Sequence, residues 1–139
     1  MPLGAFISSR ERMGALTGDP VLGHITTFGG HPVSCAAGLA AMEVLLSEDW
    51  IGQVATKEAL FRRLLVHPAI RAVRTCGLLI AVEFADFDAN KRVIDGCIAR
   101  GLLTDWYLFA PNCLRIAPPL TITEEEIEEA CRIILESIG

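Results

Sequence analysis

Long apolar runs, positive charge, paired cysteines and lysine are what this 139-residue sequence has least of. No uninterrupted apolar stretch reaches the roughly 20 residues that a membrane-spanning helix requires, and the first residues lack a basic-then-apolar signal pattern. Neither a membrane nor an export route is therefore expected. Lysine and arginine number 12 against 17 acidic residues, for a net charge of -5, and the basic residues are scattered. A phosphate backbone needs a basic surface, so nucleic acid is not an expected partner. The five cysteines, Cys35, Cys76, Cys97, Cys113 and Cys131, are odd in number and contain no C-x-x-C pair. Their mostly apolar surroundings are those of reduced, buried thiols, which points to a cytoplasmic protein without a disulfide framework. Lysine occurs only at positions 57 and 91, in polar surroundings that read as those of solvated cations.

What is present is enough for a core: 52% of the residues are hydrophobic and 21% charged, a balance that suits one domain of ordinary size. Leu3 to Ser8 reads as a short strand, Arg10 to Leu16 as a brief helix and Thr17-Gly18-Asp19-Pro20 as a turn. A lone strand needs neighbours, so this region reads as the edge of a larger fold. From Pro32 to about Glu48 the pattern is helical and apolar almost all round, as in a helix buried on several sides, and parts of it should be exposed and sticky in this chain taken alone. A second helix is expected from about Trp50 to Val66, with Ile51, Val54, Phe61, Leu64 and Leu65 on one stripe.

The remainder reads as a compact α+β unit. Strands are expected at Ala72 to Thr75 and Leu78 to Phe84 around a turn at Cys76-Gly77. A helix follows from about Ala89 to Arg100 with Val93, Ile94, Cys97 and Ile98 inward and Gly101 as its stop. Leu102 to Phe109 and Asn112 to Ala117 read as strands joined by a turn at Ala110-Pro111, ended by Pro118-Pro119. Thr123 and Glu126 form a capping box for a last helix carrying Ile127, Ala130, Cys131, Ile134, Leu135 and Ile138 at helical spacing.

The stretch Ile25-Thr26-Thr27-Phe28-Gly29-Gly30-His31-Pro32 joins hydroxyls, two glycines and a helix start. Glycines permit close backbone approach, proline suits the first helical position, and the free N–H groups of a helix start favour an anion. By themselves these eight residues fit a phosphate loop or, more commonly, a plain turn and cap.

With its flanks, Met1-Pro2-Leu3-Gly4-Ala5-Phe6 and His24 to Ala37, the stretch resembles the class III pyridoxal-phosphate aminotransferases of fold type I. Leu114-Arg115-Ile116-Ala117-Pro118-Pro119-Leu120-Thr121-Ile122-Thr123, followed by an acidic helix start, is similar to the end of the same family. The resemblance implies the C-terminal part of such an enzyme: residues 1–31 as the edge of the large cofactor domain, 32–48 as an interdomain helix and 49–139 as the small α+β domain. It implies pyridoxal phosphate as cofactor, a homodimer, and amino-group exchange between an amino acid or ω-amine and a 2-oxo acid. Thr27, assisted by Thr26 and the backbone of Gly29 and Gly30, would hold the cofactor phosphate across the dimer interface. Arg115 would grip a substrate carboxylate; its other reading is an exposed arginine or an ion pair with an acid such as Glu83.

The family's Schiff-base lysine lies upstream of the segment matching Met1-Pro2-Leu3-Gly4. Lys57 and Lys91 are not placed for that role, so no catalytic residue is assigned here and the chain alone is expected to be inactive. His31 stands where the family usually has asparagine, a better cap. A metal site at His31, Cys35 and His24 lacks a fourth ligand, and a Cys35 nucleophile lacks an orienting third residue. The rival readings from other classes are a non-catalytic α+β association module and an anion-binding protein using Thr26, Thr27 and Arg115.

Overall fold

In a computed structural model that describes residues 1–23 and 25–139, the chain divides into two units, Met1–Glu48 and Asp49–Gly139. The first unit holds a short helix α1 (Arg10–Gly14), capped by Ser9, and the longer α2 (Pro32–Ser47). The expected strand at Leu3 to Ser8 is not formed: those residues have no ladder partners, and Phe6 and Ile7 are exposed. An apolar segment becomes a strand only when another strand takes its backbone hydrogen bonds, and none lies beside it among the described residues.

Helix α2 forms at its expected place because Pro32 occupies the first turn and His31 caps it. Burial on several sides does not follow within this chain. None of its residues is fully buried, and Val33, Leu39, Met42, Val44 and Leu46 are exposed, in keeping with the expected sticky surface. Gly38 admits the Leu3 side chain: a Cβ there would stand 2.2 Å from Leu3 Cδ2.

The second unit is an antiparallel four-stranded sheet, β1 (Ala72–Cys76), β2 (Leu79–Glu83), β3 (Asp105–Tyr107) and β4 (Ala110–Ile116), in the order β1-β2-β4-β3. Three helices, α3 (Val54–Leu64), α4 (Phe87–Ala99) and α5 (Glu124–Ile138), complete it. Cross-strand partners share a face, so Val73, Val82, Leu114 and Trp106 lie on one side and Arg74, Ala81, Arg115 and Asp105 on the other. The helices close over the first side. Leu60 and Phe61 of α3, Val93, Ile94 and Cys97 of α4, and Ile127, Cys131 and Ile134 of α5 form one cluster with Ile80, Val82 and Leu114.

Several boundaries differ from expectation. Residues 51–53 form a turn, so α3 starts at Val54 and Ile51 is left exposed; Ile98 likewise faces outward from α4. Helix α4 starts earlier than expected because the Asp86 carboxylate caps it at Ala89 N–H, and it ends at Ala99, with Gly101 just past the cap at a φ of 88° that favours glycine. The β3–β4 turn falls at Leu108-Phe109 rather than Ala110-Pro111, and β4 starts with Pro111 as its second residue. The capping box of α5 is present in both directions, Thr123 Oγ1 accepting from Glu126 N–H and Glu126 Oε2 accepting from Thr123 N–H.

All five thiols are free. Cys97, Cys113 and Cys131 are buried, as expected of most of them, whereas Cys35 and Cys76 are exposed. Burial pushes the Cys131 thiol up to about 12, and burial also raises Cys97, so both stay protonated and act as small apolar side chains.

Candidate functional site

Thr26, Thr27, Gly29 and Gly30 lie together in the loop that feeds α2. Two overlapping turns build it, with Gly29 N–H donating to Thr26 O at 3.1 Å and His31 N–H to Phe28 O at 3.1 Å. Gly30, at the third position of the second turn, has a φ of 72°, which glycine adopts without strain. Gly29 is required for another reason: a Cβ there would stand 2.6 Å from Thr26 Oγ1. These turns leave the backbone N–H groups of Thr27, Phe28 and Gly30, and the Thr27 hydroxyl, without hydrogen bonds among the described residues. All four loop residues are exposed. Exposed donors clustered ahead of a 16-residue helix suit an anion.

His31 caps α2 through Nδ1, which accepts from Val33 N–H at 3.3 Å, a long contact that agrees with histidine being the poorer cap. Cys35 is exposed one turn further on, and no group of three metal-ligating residues exists among the described residues; His24 lies outside them.

Arg115 belongs to the second unit, on β4. Its side chain is 45% exposed. Its expected anionic partner is present but is Asp105, not Glu83. Arg115 Nε and Nη2 donate to the two Asp105 oxygens at 2.7 and 2.5 Å, while Glu83 pairs with Arg74. Register explains this choice, because Asp105 stands directly opposite Arg115 across the β3–β4 ladder. Thr104 Oγ1 donates to the Arg115 carbonyl at 2.6 Å and holds the strand in place. Tyr107 donates to the Ile80 carbonyl at 3.1 Å. Burial raises the Tyr107 pKa, with nearby Arg115 opposing, which keeps the phenol a donor.

A cavity of about 300 Å3 opens here, its lining apolar except for Thr104 and Arg115. Lys57, expected to be solvated, is 7% exposed and donates to the Leu120 carbonyl at 2.7 Å; Lys91 is half-exposed and pairs with Asp95. Sequence reasoning missed Asp105 and the burial of Lys57. Asp105 lies ten residues from Arg115 in the hairpin, but a plain turn at Leu108-Phe109 would set it opposite Asn112, and it is the irregularity between Trp106 and Tyr107 that carries it to Arg115.

The sequence profile of the family described as aminotransferase class-III matches residues 1–138. An acetylornithine aminotransferase of Caldanaerobacter subterraneus subsp. tengcongensis is 33% identical over 138 residues, covering 96% of this chain and 33% of the relative. A crystal structure of a Bacillus anthracis aminotransferase superposes with a TM-score of 0.78 at 28% identity, over 93% of this chain and 33% of that one. An ornithine aminotransferase from Toxoplasma gondii, reported with partial occupancy of PLP at its active site, gives a TM-score of 0.72 at 34% identity, over 91% of this chain and 30% of that one. The α+β architecture is thus that of an aminotransferase segment, and the chain spans about a third of the length of the relatives it matches.

Proposed function

The chain belongs to the class III aminotransferase family, and we propose from that premise that it forms the C-terminal part of a pyridoxal-phosphate transaminase. The family match along the whole chain carries this reading. The parent protein exchanges an amino group between an amino acid or ω-amine and a 2-oxo acid. Residues 1–31 belong to its large domain, 32–48 form the helix between domains and 49–139 the small domain. The exposed apolar surface of α2 supports association with the rest of the polypeptide and with a second copy in a cytoplasmic homodimer.

The cofactor, when bound, supplies the electron sink that lets an amino acid's α-proton leave. This chain's residues bind and orient. The Thr27 hydroxyl, with the N–H groups of Thr27, Phe28 and Gly30, would hold the cofactor phosphate at the partner subunit's site, and the Thr26 carbonyl closes the turn. Arg115 turns its two-pronged guanidinium to the substrate carboxylate, which fixes which end of the substrate faces the reacting centre. Lys57 donates to the Leu120 carbonyl and Lys91 pairs with Asp95, and the proton-moving lysine would come from the rest of the parent polypeptide.

The test uses a chimera in which this chain replaces the matching third of the Caldanaerobacter relative. Thr27→Val keeps the side-chain shape and removes the hydroxyl. It should weaken pyridoxal-phosphate affinity about tenfold or more, the size of a lost hydrogen bond to a charged group. kcat at saturating cofactor should hardly move. An unchanged affinity in a fluorescence titration rejects the assignment of Thr27.

A further inference from the structure

A hollow of about 380 Å3 lies between the start of α3 and the loop that enters α5, and it shares only Ile122 with the cavity beside Arg115. Its lining brings together an indole, hydroxyls, an ammonium and a carboxylate, from Trp50, Thr56, Thr121, Lys57 and Glu124. Lys57 is 7% exposed, yet it donates only to the Leu120 carbonyl and forms no ion pair among the described residues. An ammonium carries three donors, and one held out of water with a single neutral partner is costly until an anion meets it. The segment it grips is fixed, because Ile122 N–H donates to the Pro119 carbonyl at 3.1 Å. Glu124, the first residue of α5, is exposed and also forms no ion pair among the described residues. The capping box leaves it unused, since Thr123 and Glu126 serve the helix start between them. Two opposite charges thus line one hollow without closing on each other.

We propose that this hollow binds a free α-amino acid with an apolar side chain, its carboxylate on Lys57, its ammonium on Glu124 and its side chain against Trp50 and Ile122. Unpaired charges of both signs select a zwitterion: Glu124 repels a simple anion and Lys57 a simple cation. The volume is that of a small-molecule site, and an indole beside an isoleucine supplies its apolar wall. Unequal burial divides the work. The desolvated Lys57 supplies most of the affinity, whereas the exposed, screened Glu124 distinguishes an amino acid from a plain carboxylate. The site is separate from Arg115 and does not depend on the role of that residue.

The experiment titrates the full 139-residue chain with L-leucine and follows the Trp50 indole N–H and the backbone amides of Thr121 and Glu124 by NMR, with Trp106→Phe assigning the indole signal. Leucine should move all three signals along one isotherm. Isocaproate, the same skeleton without the ammonium, should bind roughly twofold to fivefold more weakly, the range of an exposed ion pair. Glu124→Gln should abolish that difference, and as an exposed position outside the capping box it leaves the fold intact. Lys57→Met should weaken both ligands about tenfold or more, with the urea midpoint checking that this buried position still folds. Arg115→Ala should change neither Kd. If leucine leaves the three signals unmoved, or if isocaproate binds the unaltered chain as tightly as leucine does, the amino-acid site is overturned. Leucine binding that Arg115→Ala abolishes and Glu124→Gln leaves unchanged would place the ligand in the other cavity and overturn the proposal as well.

Discussion

Arg115→Ala in the chimera should lower kcat/KM for carboxylate-bearing substrates about 100-fold, while a carboxylate-free amine donor loses little. A guanidinium that meets a carboxylate through two parallel N–H···O bonds makes two charge-assisted contacts, and the loss of both corresponds to about 3 kcal/mol. The loss should fall mainly on KM, because the arginine holds the carboxylate in the ground state and in the transition state alike. Arg115→Lys keeps the charge and loses the fork, and should fall between the two. The pair of substrates matters to the interpretation. Arg115 also ties β4 to β3 through Asp105, so a folding defect would lower activity toward both substrates equally. A uniform loss would therefore count against a carboxylate role.

Phe61→Ala is the largest expected effect on stability. Phe61 is fully buried in the cluster that α3 shares with α4, α5 and the sheet, and it also lines the apolar cavity. Truncating a buried phenylalanine costs about 3–5 kcal/mol, and a site that already borders empty space has little to collapse into the gap. Against a typical total stability of about 5–15 kcal/mol this is a large fraction, and the urea midpoint of the second unit should fall accordingly. Ile51→Ala is the comparison: Ile51 is exposed, contrary to its expected place on the α3 stripe, so its loss should stay within about 0.5 kcal/mol.

Local features were the most legible in the sequence. The capping box at Thr123 and Glu126, the Gly101 stop and the Pro32 helix start each depend on residues within four positions of one another, and each stands where expected. Long-range pairing was not legible. Ala110-Pro111 has the composition of a turn, whereas the observed turn at Leu108-Phe109 is built from two exposed apolar residues that no turn preference marks. A turn at Ala110-Pro111 would set Phe109 opposite Asn112, and hence Asp105 opposite Ile116. The observed hairpin carries an irregularity between Trp106 and Tyr107 and sets Asp105 opposite Arg115. Those few positions hid the arginine's partner. Lys57 was misread for a related reason: its acceptor, the Leu120 carbonyl, lies 63 residues away, and polar sequence neighbours give no hint of it. The loop of Thr26, Thr27, Gly29 and Gly30 was legible as a turn before a helix, because paired glycines permit the positive φ and close approach that such turns use.

In the proposed parent enzyme this chain would supply the groups that grip phosphate and carboxylate, and the covalent lysine would come from the rest of the polypeptide. The most direct test is to load the chimera with one equivalent of pyridoxal phosphate, reduce with borohydride and map the pyridoxyl label by peptide mass. A single label is expected on a lysine of the Caldanaerobacter portion, with Lys57 and Lys91 unmodified. A stoichiometric label on Lys57 or Lys91 would contradict it.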